Sequence, residues 1–315
     1  MTKLYDVIVI GAGAAGLTAG IYLTRAKLKT LILERMIPGG QVITTTKVEN
    51  YPGFPDGIDG PELMKRFEQQ VRRLGVEIKS PFEIAQVINK KNKKIIKTEG
   101  ETLETKALII ATGASYKKIG VPGEQKLTGR GISYCGTCDA PFFKDVEVAV
   151  IGGGNTALIE ALHITKFASK VYVIHRRDEL RAEKVIQEDA FEDKKIEFIW
   201  DTVVKEIKGE NKVEELILEN VKNAEKKRLK VEGCFIFIGM QPNSHLVKDL
   251  VALDEWGYIV TDNYCSTSVP GIFAAGDVRN NVLKQIVTAA SDGAIAAVSA
   301  EKYVSGHLSF NHKMQ

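Results

Sequence analysis

The chain reads as an α/β protein in which one strand, glycine turn, helix and strand unit occurs twice, and three observations predict this. An apolar strand run meets Gly11, Gly13 and Gly16 in one place and Gly152, Gly154 and Ala157 in another. Each glycine turn is followed by a helix-patterned stretch and then a second apolar strand. The step from Gly11 to Glu34 is 23 positions and that from Gly152 to His175 is also 23, so the copies superpose at an offset of 141. Two dinucleotide-binding (Rossmann-like) domains with parallel sheets follow from this repeat.

In the first copy Val7-Ile8-Val9-Ile10 is a strand, the helix runs through Leu23, and residues 30–33 form the second strand, ending at Glu34 and Arg35. Gly11 makes the tight turn, Gly13 lets backbone approach a pyrophosphate, and Gly16 allows close helix packing. Ala14 and Ala15 open the helix whose N-terminal N–H groups hold phosphate. Glu34 is placed to accept hydrogen bonds from an adenosine ribose.

The second copy has the strand Val148-Ala149-Val150-Ile151, then Gly152, Gly154, Asn155, Thr156 and Ala157, a helix to Phe167, and a strand over 171–174. It ends differently, in His175, Arg176 and Arg177, with Arg181 one turn on. A carboxylate there would repel a 2′-phosphate, whereas guanidinium groups grip it with charge-assisted bonds. At about 1.5–3 kcal/mol per bond, two arginines favour NADPH over NADH by roughly a hundredfold to several thousandfold.

Between the copies lies Cys135-Gly136-Thr137-Cys138, followed by Asp139. Such a pair opens and closes a disulfide with little backbone change, a two-electron handle. Zinc, the competing use, needs two more ligands, and the sequence offers no second pair. Cys234, in an apolar run, reads as a core residue and Cys265 as a loop residue; no metal is expected. Of five histidines only His175 sits in a motif.

Composition sets the outer bounds. A length of 315 residues favours two domains, and 44% hydrophobic residues with a net charge of +3 exclude disorder and give no reason for a nucleic-acid surface. No apolar run reaches the ~18 residues of a membrane span, no cleavable signal pattern precedes the first strand, and four cysteines are too few for a disulfide scaffold. A cytoplasmic protein without membrane contact is expected. Residues 61–74 pattern as an amphipathic helix closed by Gly75, and residues 90–94 as a solvated hairpin turn. A strand over 107–110 ends in Ala111, Thr112 and Gly113, and one over 234–238 leads to a Gln-Pro-Asn turn.

Residues 11–16, 111–113, 135–139, 152–157, 175–181 and the run Gly271-Ile272-Phe273-Ala274-Ala275-Gly276-Asp277 together resemble the bacterial low-molecular-weight thioredoxin reductases from end to end. The resemblance implies FAD in the first site, NADPH in the second, and electrons passing from flavin to a Cys135–Cys138 disulfide and on to thioredoxin. It implies an NADPH domain, residues 116–245, inserted into an FAD domain of residues 1–115 and 246–315. By the same resemblance Gly39, Gly40 and Gln41 lie along the pyrophosphate and flavin, and Asn50 approaches the isoalloxazine. Gly276 and Asp277 take ribitol or phosphate, and Gln285 and Ile286 lead a helix whose N-terminus faces the flavin. Cys138 receives electrons, Cys135 attacks thioredoxin and Asp139 handles the proton. A homodimer is also implied, as is rotation of residues 116–245 about crossings near Ile119 and Asn243.

Asn155, Thr156 and Ile159 depart from the family's usual aspartate, serine and acid, and Lys284 stands where arginine is common; these put nucleotide affinity in question. Phe142, Phe143 and Arg130 read either as a thioredoxin-docking surface or, for the two rings, as core. Three alternatives remain: a ferredoxin-linked flavin thioredoxin reductase and a dithiol oxidase of the same fold, neither of which needs the basic cluster at 175–181, and a non-catalytic flavin-bearing binding or assembly protein, against which the intact Cys135 to Asp139 segment speaks.

Overall fold

A computed structural model describes residues 3–45, 47–91 and 93–307. The chain forms two compact units, Met1–Ser115 with Gln241–Gln315, and Tyr116–Met240. In chain order the first unit begins with β1 (Lys3–Ile10), α1 (Ala14–Arg25), β2 (Thr30–Leu33), α2 (Gly60–Arg73), β3 (Glu77–Lys79), β4 (Gln86–Lys90), β5 (Lys93–Lys97), β6 (Thr102–Ile110) and β7 (Ala114–Tyr116). The second unit holds α3 (Glu124–Leu127), β8 (Ile132–Ser133), α4 (Gly136–Asp139), β9 (Glu147–Ile151), α5 (Asn155–Ile164), β10 (Lys170–Ile174), α6 (Lys184–Glu192) and β11 (Ile196–Ile199). It continues through β12 (Thr202–Lys208), β13 (Glu215–Asn220), β14 (Lys226–Lys230) and β15 (Gly233–Ile236), and β16 (Met240–Pro242) leads back to β17 (Ile272–Ala274) and α7 (Ile286–Val304).

The main sheet of the first unit runs β3-β2-β1-β6-β5-β4, with β17 beside the C-terminal half of β6. The sheet is parallel except for β4 and β5, which pair antiparallel, and Val7, Ile8, Val9 and Ile10 are all buried because its parallel part is covered on both faces. Helices α1 and α7 cover one face, meeting at small residues: a side chain at Gly293 would strike Ala15 O. That contact brings the α7 helix against the first turns of α1. Helix α2 starts where Asp59 Oδ1 accepts from Glu62 N at 3.2 Å, with Pro61 in its first turn, and stops before Gly75 at φ 87°.

The hairpin expected over 90–94 forms, β4 pairing antiparallel with β5 and Lys90 and Lys91 exposed, but Lys94 is not solvated. Strand β5 alternates, which turns Lys94 inward with Ile96; Lys94 is buried and its Nζ lies 5.8 Å from the Tyr303 ring centre. Asn92, at the expected turn, lies outside the described residues.

The second unit carries a parallel sheet, β11-β10-β9-β15-β8, and an antiparallel sheet, β12-β13-β14. Helix α5 ends at Ile164 rather than Phe167, because Thr165 Oγ1 bonds Leu162 O and Asp193 Oδ2 and the chain turns there. Strand β15 ends at Ile236, two residues earlier than expected. Cys234 is buried as expected, and Cys265 sits in a loop at φ 61° yet is equally buried. Burial raises both thiols, Cys265 to about 12, so neither is a nucleophile at neutral pH. Among the described residues no helix is long and apolar enough to cross a membrane, and no three metal-ligating side chains gather.

Candidate active site

The first glycine turn stands at the C-terminal ends of β1, β2, β6 and β17, where open α/β sheets bind ligands. Gly11 has φ 105°, and a Cβ on it would collide with Ala111 O, while one on Gly16 would collide with Gly11 O. Gly13 is different: a Cβ there would meet only Gly40 Cα, at 3.9 Å, leaving an open approach to the N-terminus of α1. Gly39 N donates to Ala12 O at 2.8 Å, which lays Gly39, Gly40 and Gln41 along this turn. Gln41 Nε2 donates to Ala114 O. Glu34 accepts from Ala12 N at 2.8 Å and Met36 N at 3.0 Å, so its carboxylate is fixed beside the turn, with Arg35 exposed next to it.

The remaining residues of this site converge from afar in sequence. Thr112 Oγ1 donates to Asn243 O at 2.7 Å and Asn243 N donates to Gly113 O at 3.0 Å, pinning the loop after β6. Gln285 and Thr288 form a capping box at the start of α7, just ahead of Ile286. Asn50 Nδ2 donates to Gln285 Oε1 at 3.0 Å, bringing Asn50 to that helix end. Asp277 Oδ1 is buried with no hydrogen-bond partner, and burial pushes its carboxyl up to about 6. Lys284 Nζ, near Asp277, donates to Asn281 Oδ1 at 2.9 Å. An open middle glycine, a carboxylate fixed beside the turn and an orphaned buried carboxyl oxygen fit a dinucleotide carrying a hydroxylated chain.

Sequence reasoning missed the support beneath Asp277. Asp292, buried in α7, pairs with Arg279 Nη1 at 2.9 Å and accepts from Gly276 N at 3.1 Å, which fixes the Gly276 turn at φ 76°. The signal was present, an isolated acid in a helix of small and apolar residues. Glu124 was also missed: it is buried and accepts from Gly120 N at 2.7 Å and Tyr134 OH at 2.7 Å, organising the loop that opens the second unit.

In the second unit Cys135 and Cys138 form a disulfide, with Cys138 N donating to Cys135 Sγ at 3.2 Å. Asp139 Oδ2 accepts from Ser133 Oγ at 2.6 Å. Burial raises the affinity of Asp139 for a proton, and the Ser133 bond partly offsets it. Phe143 packs edge-on against Phe235, with ring centres 5.0 Å apart, so it is core, whereas Phe142 is exposed.

The second glycine turn also leaves its middle glycine open, since a Cβ on Gly154 would meet nothing within 4 Å. Ala157 is buried beneath Gly152, and Thr156 is exposed at the start of α5. Asn155 Nδ2 donates to Glu183 Oε1 at 2.9 Å and its Oδ1 accepts from Glu183 N at 2.8 Å. Arg181 N donates to Gly153 O at 2.7 Å, so the segment after β10 is clasped onto the turn. Arg176, Arg177 and Arg181 are exposed there, but His175 is only 5% exposed, its ring against Gly153. Burial, then the fields of Arg181, Arg176 and Arg177, lower its proton affinity below that of a free imidazole.

A family model described as pyridine nucleotide-disulphide oxidoreductase matches residues 5–293. The chain is 49% identical over 303 residues to a thioredoxin reductase of Bacillus subtilis, covering 96% of this chain and 95% of that one. It is 50% identical over 310 residues to a thioredoxin reductase of Peptoclostridium litorale, covering 96% and 98%. The crystal structure of thioredoxin reductase from Streptococcus pyogenes superposes with a TM-score of 0.92 at 45% identity, covering 97% of this chain and all of that one. With its disulfide between two open glycine turns in sequence, the chain belongs to the pyridine nucleotide-disulphide oxidoreductase family and, within it, to the low-molecular-weight thioredoxin reductases.

Proposed function

We propose that the protein carries electrons from NADPH through FAD to the Cys135–Cys138 disulfide and from there to thioredoxin. The observation that supports this best is a formed disulfide in a unit whose own glycine turn ends in three exposed arginines. In this reading the unit of residues 1–115 and 241–315 holds FAD and the unit of residues 116–240 holds NADPH, its second boundary five residues before the expected 245, and two chains make a homodimer. Bound FAD supplies a two-electron relay between nicotinamide and disulfide.

The chain's own groups bind, orient and move protons. Arg176, Arg177 and Arg181 would take the 2′-phosphate, while His175, buried against Gly153, sets the shape of the turn beneath it. Glu34 would receive a ribose hydroxyl, and Asp277 Oδ1, otherwise without a partner, would exchange a hydrogen bond with a ribityl hydroxyl. The N-terminus of α7, ordered by Gln285 and Asn50, would favour negative charge on a flavin held there.

Cys138 N–H, already directed at Cys135 Sγ, stabilises the Cys135 thiolate once the disulfide opens. That thiolate attacks a sulfur of the thioredoxin disulfide, and Cys138 Sγ then displaces the mixed disulfide and closes the pair again. Asp139, held through Oδ2 by Ser133, supplies and takes back the proton at the departing sulfur.

The test is spectroscopic. Purified protein should be yellow, anaerobic NADPH should bleach the flavin band, and added thioredoxin should gain thiols catalytically. Bleaching by reduced ferredoxin but not by NADPH would overturn the donor assignment.

A further inference from the structure

Glu160, on the face of α5 against the dithiol turn, has no part in the steps above. Its Oε1 accepts from Thr137 Oγ1 at 3.3 Å, and the backbone of Thr137 also bonds the carboxylate. Its Oε2 is buried without a hydrogen-bond partner. That oxygen occupies the space a side chain at position 136 would need, since a Cβ on Gly136 would collide with it. Gly136 and Glu160 are therefore complementary, and the carboxyl lies directly under the backbone joining Cys135 to Cys138. An ionised oxygen with no donor is more costly in such a place than a protonated one, so the carboxylate there has a raised affinity for a proton.

We propose that Glu160 is a positioning residue for the dithiol that also takes up a proton when the Cys135–Cys138 disulfide is reduced. Two electrons from the enzyme's own donor break the S–S bond. One sulfur takes a proton as a thiol and the other remains a thiolate. The new negative charge on the turn draws a further proton from solvent onto the Glu160 carboxylate. When a thioredoxin disulfide is reduced the bond between Cys135 and Cys138 re-forms, the charge leaves with the transferred electrons, and Glu160 releases its proton.

Charged and titratable groups on the elements packed against α5 are the two cysteines and Asp139 at α4, Lys184, Glu188, Asp189 and Glu192 on α6, Glu147 on β9, and Lys170 and Tyr172 on β10. The 3-10 turn Ala140–Phe143 brings none. Burial, the largest influence at Glu160, favours the acid, while the side-chain and backbone bonds from Thr137 and, last, the nearby His163 of its own helix favour the carboxylate. A group poised between these influences responds to a charge appearing beside it.

The experiment equilibrates full-length, FAD-loaded protein with dithiothreitol redox buffers between pH 5.5 and 8.5 and counts free thiols by alkylation and mass. Each proton coupled to a two-electron reduction makes the equilibrium constant change about tenfold per pH unit, about 30 mV. The wild-type disulfide should show one such increment more than Glu160→Gln over the window where Glu160 takes its proton. Glu160→Gln keeps the shape and the Thr137 contact, so its melting temperature should stay near wild type. Gly136→Ala, whose methyl displaces Oε2 while the acid remains, should lose the same increment, and it stands in if the Gln variant fails to fold. Parallel pH curves for wild type and variant would overturn the proposal. The proposal rests on Cys135 and Cys138 cycling, which fails separately and visibly if the wild type gains no alkylatable thiols in reductant.

Discussion

Asp277 and His175 show burial setting charge in opposite directions at single residues. The carboxyl of Asp277 is pushed from 3.8 up to about 6 by burial, and Lys284 opposes that only in part. Between pH ~4 and about 6 the folded protein holds a proton that the unfolded chain has released. Its stability is therefore highest below the unfolded value and falls as pH rises through the folded one. A rise of that size corresponds to about 3 kcal/mol. In cofactor-free protein Asp277→Asn should raise the melting temperature at pH 7.5 and have little effect near pH 3.5. Equal effects at both pH values, read from thermal melts, would mean the buried charge is not the cause. For His175 the same burial lowers the proton affinity instead, while Arg176, Arg177 and Arg181 stay exposed beside it.

At the level of elements, one strand, turn, helix and strand unit is used twice and differs at its end. The first ends in Glu34, bonded to Ala12 N and Met36 N, and the second in a basic segment clasped to its turn through Asn155, Glu183 and Arg181 N. Arg176→Ala with Arg177→Ala should raise the KM for NADPH by roughly a hundredfold or more while NADH kinetics change little, because the lost bonds touch only the 2′-phosphate. Steady-state kinetics with both nucleotides check this, and equal losses would contradict it. Both glycine units were legible in sequence because their turns impose local rules: positive φ at Gly11 and no room for a Cβ at Gly16. What was not legible depends on partners distant in the chain. The burial of His175 depends on Gly153, the inward turn of Lys94 on α7 and Tyr303, and the fixing of Gly276 on Asp292. Composition and periodicity describe a residue's own segment and carry no information about what that segment packs against.

At the scale of the whole molecule, the first unit is assembled from two separated pieces of chain, and β17 and α7 from the second piece complete the sheet and helix layer begun by the first. The inserted unit brings its own sheet, its own glycine turn and the disulfide. On the proposed function, nucleotide reaches the flavin without the thiols, and thioredoxin is reached only through them. Rapid anaerobic mixing of Cys135→Ser and Cys138→Ser with NADPH, followed by thioredoxin, tests this most directly. NADPH should bleach the flavin in both variants, while thioredoxin reduction falls to background in each because either change removes the disulfide acceptor. Near-wild-type thioredoxin turnover in either variant would contradict the account.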